Sequence, residues 1–309
     1  MINSIIDSLQ YEFVRNALLA GSCIAIVAAV VGYFLIARGL TFAGHALPNI
    51  GFAGAAGAVL LGISPIYGLF VFTIVAGIVI ALLGKEVRER DISIGVIMTL
   101  ALGLGVMFLS LYSGYAERVY GVLFGSILGI SHSDVWIMAV TCLLTLLAIL
   151  LLYRPLLFSS FDPMVALARG LPVRMLAIIF MILTAIAVSV SIQIVGALLV
   201  FTLLVGPAAT AVRLAHRPVW ALLIAVMLGL SYMWGGILLA VANGIWPASF
   251  YIATISFIVY LIARVVSPYW IGQKRRSQAG RDPIAHSLAS TQFAHESTSS
   301  TIIEPAERR

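Results

Sequence analysis

The sequence predicts an all-α integral membrane protein, a polytopic helical bundle of about nine spans. Its 309 residues are 62% hydrophobic and only 10% charged, with a mean hydropathy of +1.11. A soluble domain carries about 25% charged residues. Apolar runs of roughly spanning length recur along most of the chain and are dominated by Gly, Ala, Ile, Val and Leu. This composition favours helices packed through small residues over the alternation of a β-barrel.

Nine apolar segments make up the predicted spans. In chain order they are 17–36, 44–61, 66–83, 93–111, 135–152, 176–190, 195–212, 219–241 and 249–266. A polar dip around Ser191 separates the sixth segment from the seventh. The first segment is too long for the apolar region of a signal peptide, so we interpret it as a retained helix. Cys23 and Cys142 both lie in apolar runs, which argues against a disulfide.

Basic residues orient this bundle with the N-terminus outside and the C-terminus inside. Of the eighteen Lys and Arg residues, only Arg15 and Arg118 then fall outside. The sixteen inside are Arg38, Lys85, Arg88, Arg90, Arg154, Arg169, Arg174, Arg213, Arg217, Arg264, Lys274, Arg275, Arg276, Arg281, Arg308 and Arg309. Their placement in inside loops and the tail indicates membrane orientation, and no nucleic-acid partner is expected.

Two connections are too long for simple turns. The outside connection, 112–133, carries apolar residues interrupted by glycines and predicts a short helix at the membrane surface. In the inside connection, 153–175, Asp162 and Pro163 form a helix start signal and Gly170 a stop signal. The sequence therefore predicts a cytoplasmic helix of about two turns. It is either a docking element for a cytosolic partner or an interfacial helix without one.

The domain organisation follows from the change in composition after the last span. Residues 1–268 form the predicted transmembrane domain. Residues 269–309 have few apolar side chains and predict a disordered cytoplasmic tail, since such a segment cannot build a packed core. His286 and His295 are isolated within that tail and do not indicate a metal site.

The second span, 44–61, is the candidate substrate pathway. It carries His45, Pro48 and Asn49, which are costly in hydrocarbon unless they face protein or water. His45 and Asn49 are one helical turn apart and share a face, while Pro48 should kink the helix between them. Glycines at spacing three follow and allow close packing. The alternative interpretation is a structural His–Asn pair in a tightly packed helix.

Several functions are disfavoured by what the spans lack. No Asp or Glu falls within the nine predicted spans, and Glu89 and Asp91 are placed in the third loop. A proton-coupled carrier usually needs such an intramembrane carboxylate. The chain also has no GxxxxGK[ST] phosphate loop and no credible catalytic motif, so it is not predicted to be an enzyme. These observations favour a transport pore energised by a separate subunit; a passive channel or a secondary carrier remains the alternative.

Four blocks of the sequence follow one another in a recognisable order, at 90–110, 122–131, 161–173 and 195–211. They resemble the membrane permeases of bacterial ABC importers for zinc, manganese and iron, and the resemblance extends over residues 10–268. It implies a homodimer, in the bacterial plasma (inner) membrane, whose cytoplasmic helices dock into ATPase subunits. ATP would bind to those subunits and no cofactor to this chain. A substrate-binding protein would deliver cargo at the outer face.

The resemblance also assigns residues. Asp162, Pro163, Ala166 and Gly170 match its cytoplasmic coupling loop. The second span of the family usually reads G-D-x-x-x-H, whereas this chain has His45 and Asn49 at the two polar positions. Imidazole suits zinc, copper or nickel better than manganese. We therefore expect a divalent metal as cargo, zinc first and then manganese or iron, with His45 as candidate ligand; a cargo other than a bare cation is the alternative.

Overall fold

The structure, a computed structural model, describes residues 11–83, 87–112, 121, 123, 125, 132–215, 217–243 and 246–279. These ranges consist of helices joined by short turns and contain no strand. Among the described residues, six helices are long and apolar enough to cross a membrane, or seven if one bent pair forms a single span. The all-α membrane prediction is confirmed at this level, while the count of nine spans stays a prediction.

Eleven helices have both of their ends within the described ranges. They are α1 Glu12–Ala37, α2 Thr41–Leu60, α3 Pro65–Leu82, α4 Val87–Leu111, α5 His132–Leu151, α6 Tyr153–Phe161, α7 Pro163–Ala168, α8 Val173–Val195, α9 Ala197–Leu214, α10 Pro218–Asn243 and α11 Ala248–Ala279. Each of the nine apolar segments falls largely in a helix of its own. The remaining two helices, α6 and α7, occupy the inside connection. The bent pair joins α5 to α6 at an angle of 61°.

Helix α1 lies at the centre of the bundle. It packs against α5, α8, α9 and α10. In its most apolar stretch of 18 residues 72% of the residues are buried, whereas in that of α4 only 17% are. The closest approach is at Gly32, where an added Cβ would overlap the carbonyl oxygen of Leu204 on α9. Small residues therefore set the distance between these helices, as is common in membrane bundles.

Helix α2 is held between α3 and α4. At its crossing with α3, a Cβ on Gly54 would overlap the carbonyl oxygen of Gly68, and a Cβ on Gly68 would overlap that of Gly54. A buried hydrogen bond of 2.7 Å between the hydroxyls of Thr73 and Ser189 joins α3 to α8. The glycine-rich segment predicted to pack closely does so.

Large apolar side chains cover the outer faces of the bundle. Val96 and Leu100 on α4, and Leu143 and Leu144 on α5, are among those exposed. In water such a surface would aggregate, whereas in hydrocarbon it is the expected lipid-facing side of a membrane helix. The exposed faces agree with an integral membrane protein.

The predicted boundary between the sixth and seventh spans is wrong. Helix α8 continues through Ser191 to Val195. The Ser191 hydroxyl donates to the carbonyl of Ala187 at 2.7 Å, so this polar group is satisfied inside the helix and does not end it. The break falls at Gly196, whose φ of +82° is unfavourable for other residues.

The ends of the other predicted segments are only partly described. Most of the outside connection, 112–133, lies outside the described residues, as do residues 280–309. Helix α11 continues past residue 268 to Ala279. The chain divides into two compact units, Met1–Leu261 and Ile262–Arg309. The predicted domain boundary at 268 stays a prediction.

Candidate functional site

The turn before α2 is fixed by a glycine. Gly39 has φ of +64°, and its N–H donates to Ile36 O at 3.1 Å while the Leu40 N–H donates to Leu35 O at 2.7 Å. These two bonds form a Schellman motif, which ends α1 and lets α2 start almost at once. Nη2 of Arg90 on α4 donates to the Gly39 carbonyl at 2.7 Å. The start of α2 is therefore held to the first turn of α4.

Helix α2 continues through Pro48. Nδ2 of Asn49 donates to the main-chain oxygen of His45 at 2.9 Å and lies 3.7 Å from Sδ of Met98. Asn49 is half-buried and Pro48 is buried. The hydrogen bond thus joins the Asn49 side chain to the His45 backbone, and the His45 imidazole takes no part in it.

His45 is exposed on the surface of this single chain. Its ring makes an edge contact with Phe201 on α9, with centroids 5.0 Å apart, and lies 6.4 Å from the ring of Phe42. It lines a cleft of about 480 Å³ whose wall is formed by Gly39, Thr41, Phe42, His45, Asp91 and Phe201. The structure therefore places His45 at the cleft, whereas Asn49 and Pro48 do not line it.

Asp91 was missed as a site residue and its placement in a loop was wrong. It lies in α4, inside the apolar span Glu89–Leu111. Its Oδ1 is buried and, within the described part of the chain, has no hydrogen-bond partner. The charged residues just before an apolar segment were the sequence signal that could have placed Asp91 in the helix. A helix can begin before its hydrophobic segment does.

Arg38 connects the α1–α2 turn to α6 and α8. Nη1 of Arg38 donates to the Ser159 hydroxyl on α6 at 3.4 Å, and its guanidinium lies 5.4 Å from the ring centre of Phe180 on α8. Burial, and to a lesser extent the nearby charge of Arg90, lowers the Arg38 pKa to about 10. Arg38 therefore stays protonated at neutral pH and keeps both contacts.

The predicted inside helix is present as α7. Oδ1 of Asp162 accepts a hydrogen bond from the Val165 N–H at 3.0 Å, so Asp162 is the N-cap. Gly170, with φ of +78°, ends the helix in a second Schellman motif, since its N–H donates to Leu167 O and the Leu171 N–H to Ala166 O. The start and stop signals read from the sequence are confirmed. The preceding helix, α6, was not predicted.

Helix α7 presents apolar side chains outward. Met164 is 79% exposed and Leu167 64%, whereas Ala166 is fully buried. The Arg169 guanidinium lies 5.4 Å from the ring centre of Phe158 and ties the end of α7 back to α6. A short, capped helix with an apolar outer face is suited to insertion into a groove of another protein.

No group of three or more His, Cys, Asp or Glu side chains that could hold a metal ion occurs among the described residues. His45 and Asp91 are the two such residues that share the cleft. A helical membrane bundle with a short exposed helix, and with a cleft that holds two ionisable side chains, is typical of a polytopic membrane protein of the transporter class. The chain belongs to the ABC 3 transport family, whose model matches residues 10–267.

The chain is also similar to named transport proteins over most of its length. The chain is 30% identical over 279 residues to the manganese transport system membrane protein MntC of Halalkalibacterium halodurans, covering 88% of this chain and 95% of the relative. It is 32% identical over 270 residues to the manganese import system permease protein ScaB of Streptococcus parasanguinis, covering 87% and 96%. The structure of PsaBC from Streptococcus pneumoniae in complex with Fab matches with a TM-score of 0.76 and 29% identity, covering 85% and 95%.

These findings confirm the resemblance to metal-ion ABC permeases and leave one expectation without support. The relatives named here are manganese systems, so zinc as the first cargo finds no support in them. That expectation rested on His45 and Asn49, which stand where the family usually has Asp and His, and two side chains on α2 do not report the other groups at the cleft.

Proposed function

We propose that this chain is the permease subunit of an ATP-driven importer for a divalent metal ion, with manganese as the first candidate cargo. Membership of the ABC 3 transport family carries the proposal, and the manganese systems among its relatives favour the metal. Zinc and iron are the cargoes to compare with it. ATP would be bound and hydrolysed by a separate ATPase subunit, not by this chain.

The proposed arrangement in the membrane has nine spans, the N-terminus outside and the C-terminus inside, in the bacterial plasma (inner) membrane. Residues 1–268 would form the permease domain and 269–309 a cytoplasmic tail. The α1–α2 turn, the start of α4 and helices α6 and α7 would then lie on the cytoplasmic side. Positively charged residues at this end support that orientation.

Helix α7 would couple the permease to its ATPase. Asp162 and Gly170 fix its two ends, and Met164 and Leu167 form an apolar outer face. Burying such side chains in a groove of the partner would stabilise the complex, since each buried side chain of this size contributes about 1.5–3 kcal/mol. Ala166 would hold the helix against its own chain.

The permease would work as a homodimer that receives cargo from an extracytoplasmic substrate-binding protein. The exposure of His45 in the single chain supports this arrangement, because a polar imidazole directed at lipid is costly and its face of the protein should therefore be covered in the membrane. A second copy of the chain, or the water-filled pathway between two copies, would remove it from hydrocarbon. The remaining exposed apolar faces would contact lipid.

The proposal is tested by uptake in a bacterium that lacks its own copy of this chain. Cells expressing it together with its ATPase and binding protein should accumulate manganese, and cells with an ATPase unable to hydrolyse ATP should not. Zinc and iron uptake are measured in parallel. Equal uptake with and without ATP hydrolysis would identify a passive channel, and absence of uptake for all three metals would exclude metal cargo.

A further inference from the structure

We propose that Asp91 and His45 together form a divalent-cation site in the cleft between the N-terminal ends of α2 and α4. This inference rests on the proposed function and names a protein carboxylate that would meet the cargo. A carboxylate suits manganese, and an imidazole suits iron and zinc, so the pair can serve any of the candidate metals.

The state of the Asp91 carboxylate is the first observation. Its Oδ1 is buried, and no described residue donates a hydrogen bond to it. A buried carboxylate oxygen without a donor is unfavourable unless water or a cation occupies the position in front of it. Asp91 lines the cleft, so an ion entering the cleft could reach it.

The state of the His45 imidazole is the second observation. It lines the same cleft, is exposed, and contacts the rings of Phe201 and Phe42. No described residue hydrogen-bonds to either ring nitrogen. The aromatic contacts orient the ring without using the nitrogen atoms, which leaves one of them available as a neutral ligand.

Two arginine side chains lie near this pair and lower its affinity for a metal ion. Arg90 neighbours Asp91 in sequence, is affected by its charge, and donates to the Gly39 carbonyl at 2.7 Å. Arg38 is close enough to Arg90 for their charges to interact. Both repel a metal ion and so weaken its binding. With two protein ligands and water completing the coordination, the site should hold an ion briefly, as release during transport requires.

The test measures radioactive manganese uptake by cells in which variants of the full chain replace the native one, normalised to permease abundance in the membrane. Asp91→Asn removes the charge and should lower uptake by at least about tenfold, the smallest loss usual for groups that support a metal site. Glu89→Gln is the matched control: it removes the same charge two residues earlier, from an exposed side chain that does not line the cleft, and uptake should stay unchanged.

A double variant tests whether the two residues share one ion. His45→Asp in the Asp91→Asn background returns a carboxylate to the cleft from the other helix, and uptake should recover at least in part. If Asp91→Asn reduces membrane abundance, Asp91→Glu and Asp91→Gln replace it, because they match in size and differ in charge; Glu should retain uptake and Gln should lose it.

The outcomes separate this inference from the function on which it rests. If the native chain takes up no divalent metal, the proposed function fails. The second case is a native chain that takes up manganese while the Asp91→Asn variant, or Asp91→Gln in its place, takes it up at the same rate as Glu89→Gln. The carboxylate then does not meet the cargo, and the inference alone is overturned.

Discussion

Asn49 donates its side-chain amide to the main-chain oxygen of His45, one turn earlier in α2, at 2.9 Å. Pro48 has no N–H, so the carbonyl of Gly44 loses its usual helical donor and the ladder is weakened at this point. The Asn49 amide supplies an additional donor at the neighbouring carbonyl. It thereby stabilises the part of the helix from which the His45 ring reaches the cleft.

We expect Asn49→Ala to lower the free energy of unfolding by about 1 kcal/mol, the usual net value of one such hydrogen bond. Thermal unfolding of the purified protein in detergent measures it. Thr99→Ala is the matched control and should lose clearly less stability. Thr99 also donates to a carbonyl four residues earlier, at 2.9 Å, but in an exposed helix turn whose backbone hydrogen bonds are not interrupted by proline. Equal losses in both variants would contradict a special role beside Pro48.

The crossing of α2 and α3 should tolerate no side chain at Gly68. Gly68→Ala would place a Cβ on the Gly54 carbonyl oxygen and force the helices apart. Overpacking of this kind costs typically 1–3 kcal/mol. Gly103→Ala on α4 is the control, because a Cβ there meets nothing within 4 Å and improves helix propensity. The melting temperature should fall for the first variant and stay or rise for the second.

Much of the helix pattern was predictable from sequence, because apolar length and end signals act locally. The start of α7 at Asp162 and Pro163 and its end at Gly170 follow from the N-cap and the left-handed glycine. Both depend on hydrogen bonds within a few residues. The sequence could not place the α8–α9 break, since Ser191 satisfies its hydroxyl inside the helix and only Gly196 changes the backbone direction.

The composition of the cleft was not predictable in the same way. His45 could be found because a polar residue stands out in an apolar span. Asp91 stands next to charged residues at a helix start and resembles an ordinary loop residue in the sequence. Phe201 comes from α9, more than a hundred residues further along the chain. Only the packing of three helices brings these side chains together.

Replacing Gly170 should disrupt coupling. Gly170→Val forces a β-branched residue to φ of +78°, a left-handed conformation that costs roughly 1–2 kcal/mol, and should misplace the end of α7. The purified complex should then lose ATP hydrolysis stimulated by transport. Gly62→Val is the control, because Gly62 has φ of +72° after α2 and open space around it.

If Gly170→Val assembles fully with the ATPase and keeps its stimulation, the inside connection is only a linker. If Gly62→Val loses the stimulation of ATP hydrolysis to the same extent, the effect of Gly170→Val comes from general backbone strain. The distinction requires membrane abundance and ATPase co-purification to be measured for both variants.

The orientation of the bundle can be tested at two positions. The distribution of basic residues predicts that a reporter fused after Gly84 lies in the cytosol and one fused after Tyr115 lies outside. Fusions at these sites bracket α4 and so test a single crossing. A periplasmic signal after Gly84, or a cytosolic signal after Tyr115, would overturn the nine-span assignment.

The role of His45 can be resolved by substitution. If the imidazole meets the cargo, His45→Ala should lower metal uptake by about tenfold or more, whereas His45→Asp should retain uptake and shift selectivity from zinc toward manganese, which favours carboxylate. Uptake of each metal at equal membrane abundance is the measurement. His132→Ala is the control, because His132 is exposed on α5 and accepts a hydrogen bond from Trp136 at 3.3 Å, away from the cleft.

A structural His–Asn pair gives the opposite pattern. The amide of Asn49 bonds to the backbone of residue 45, which any side chain there provides, so a packing role should tolerate His45→Gln. It should reject His45→Asp, since the new charge would lie near the rings of Phe42 and Phe201 without a ligand. Uptake by His45→Ala at the native rate, with normal abundance, would show that α2 contributes packing and no ligand.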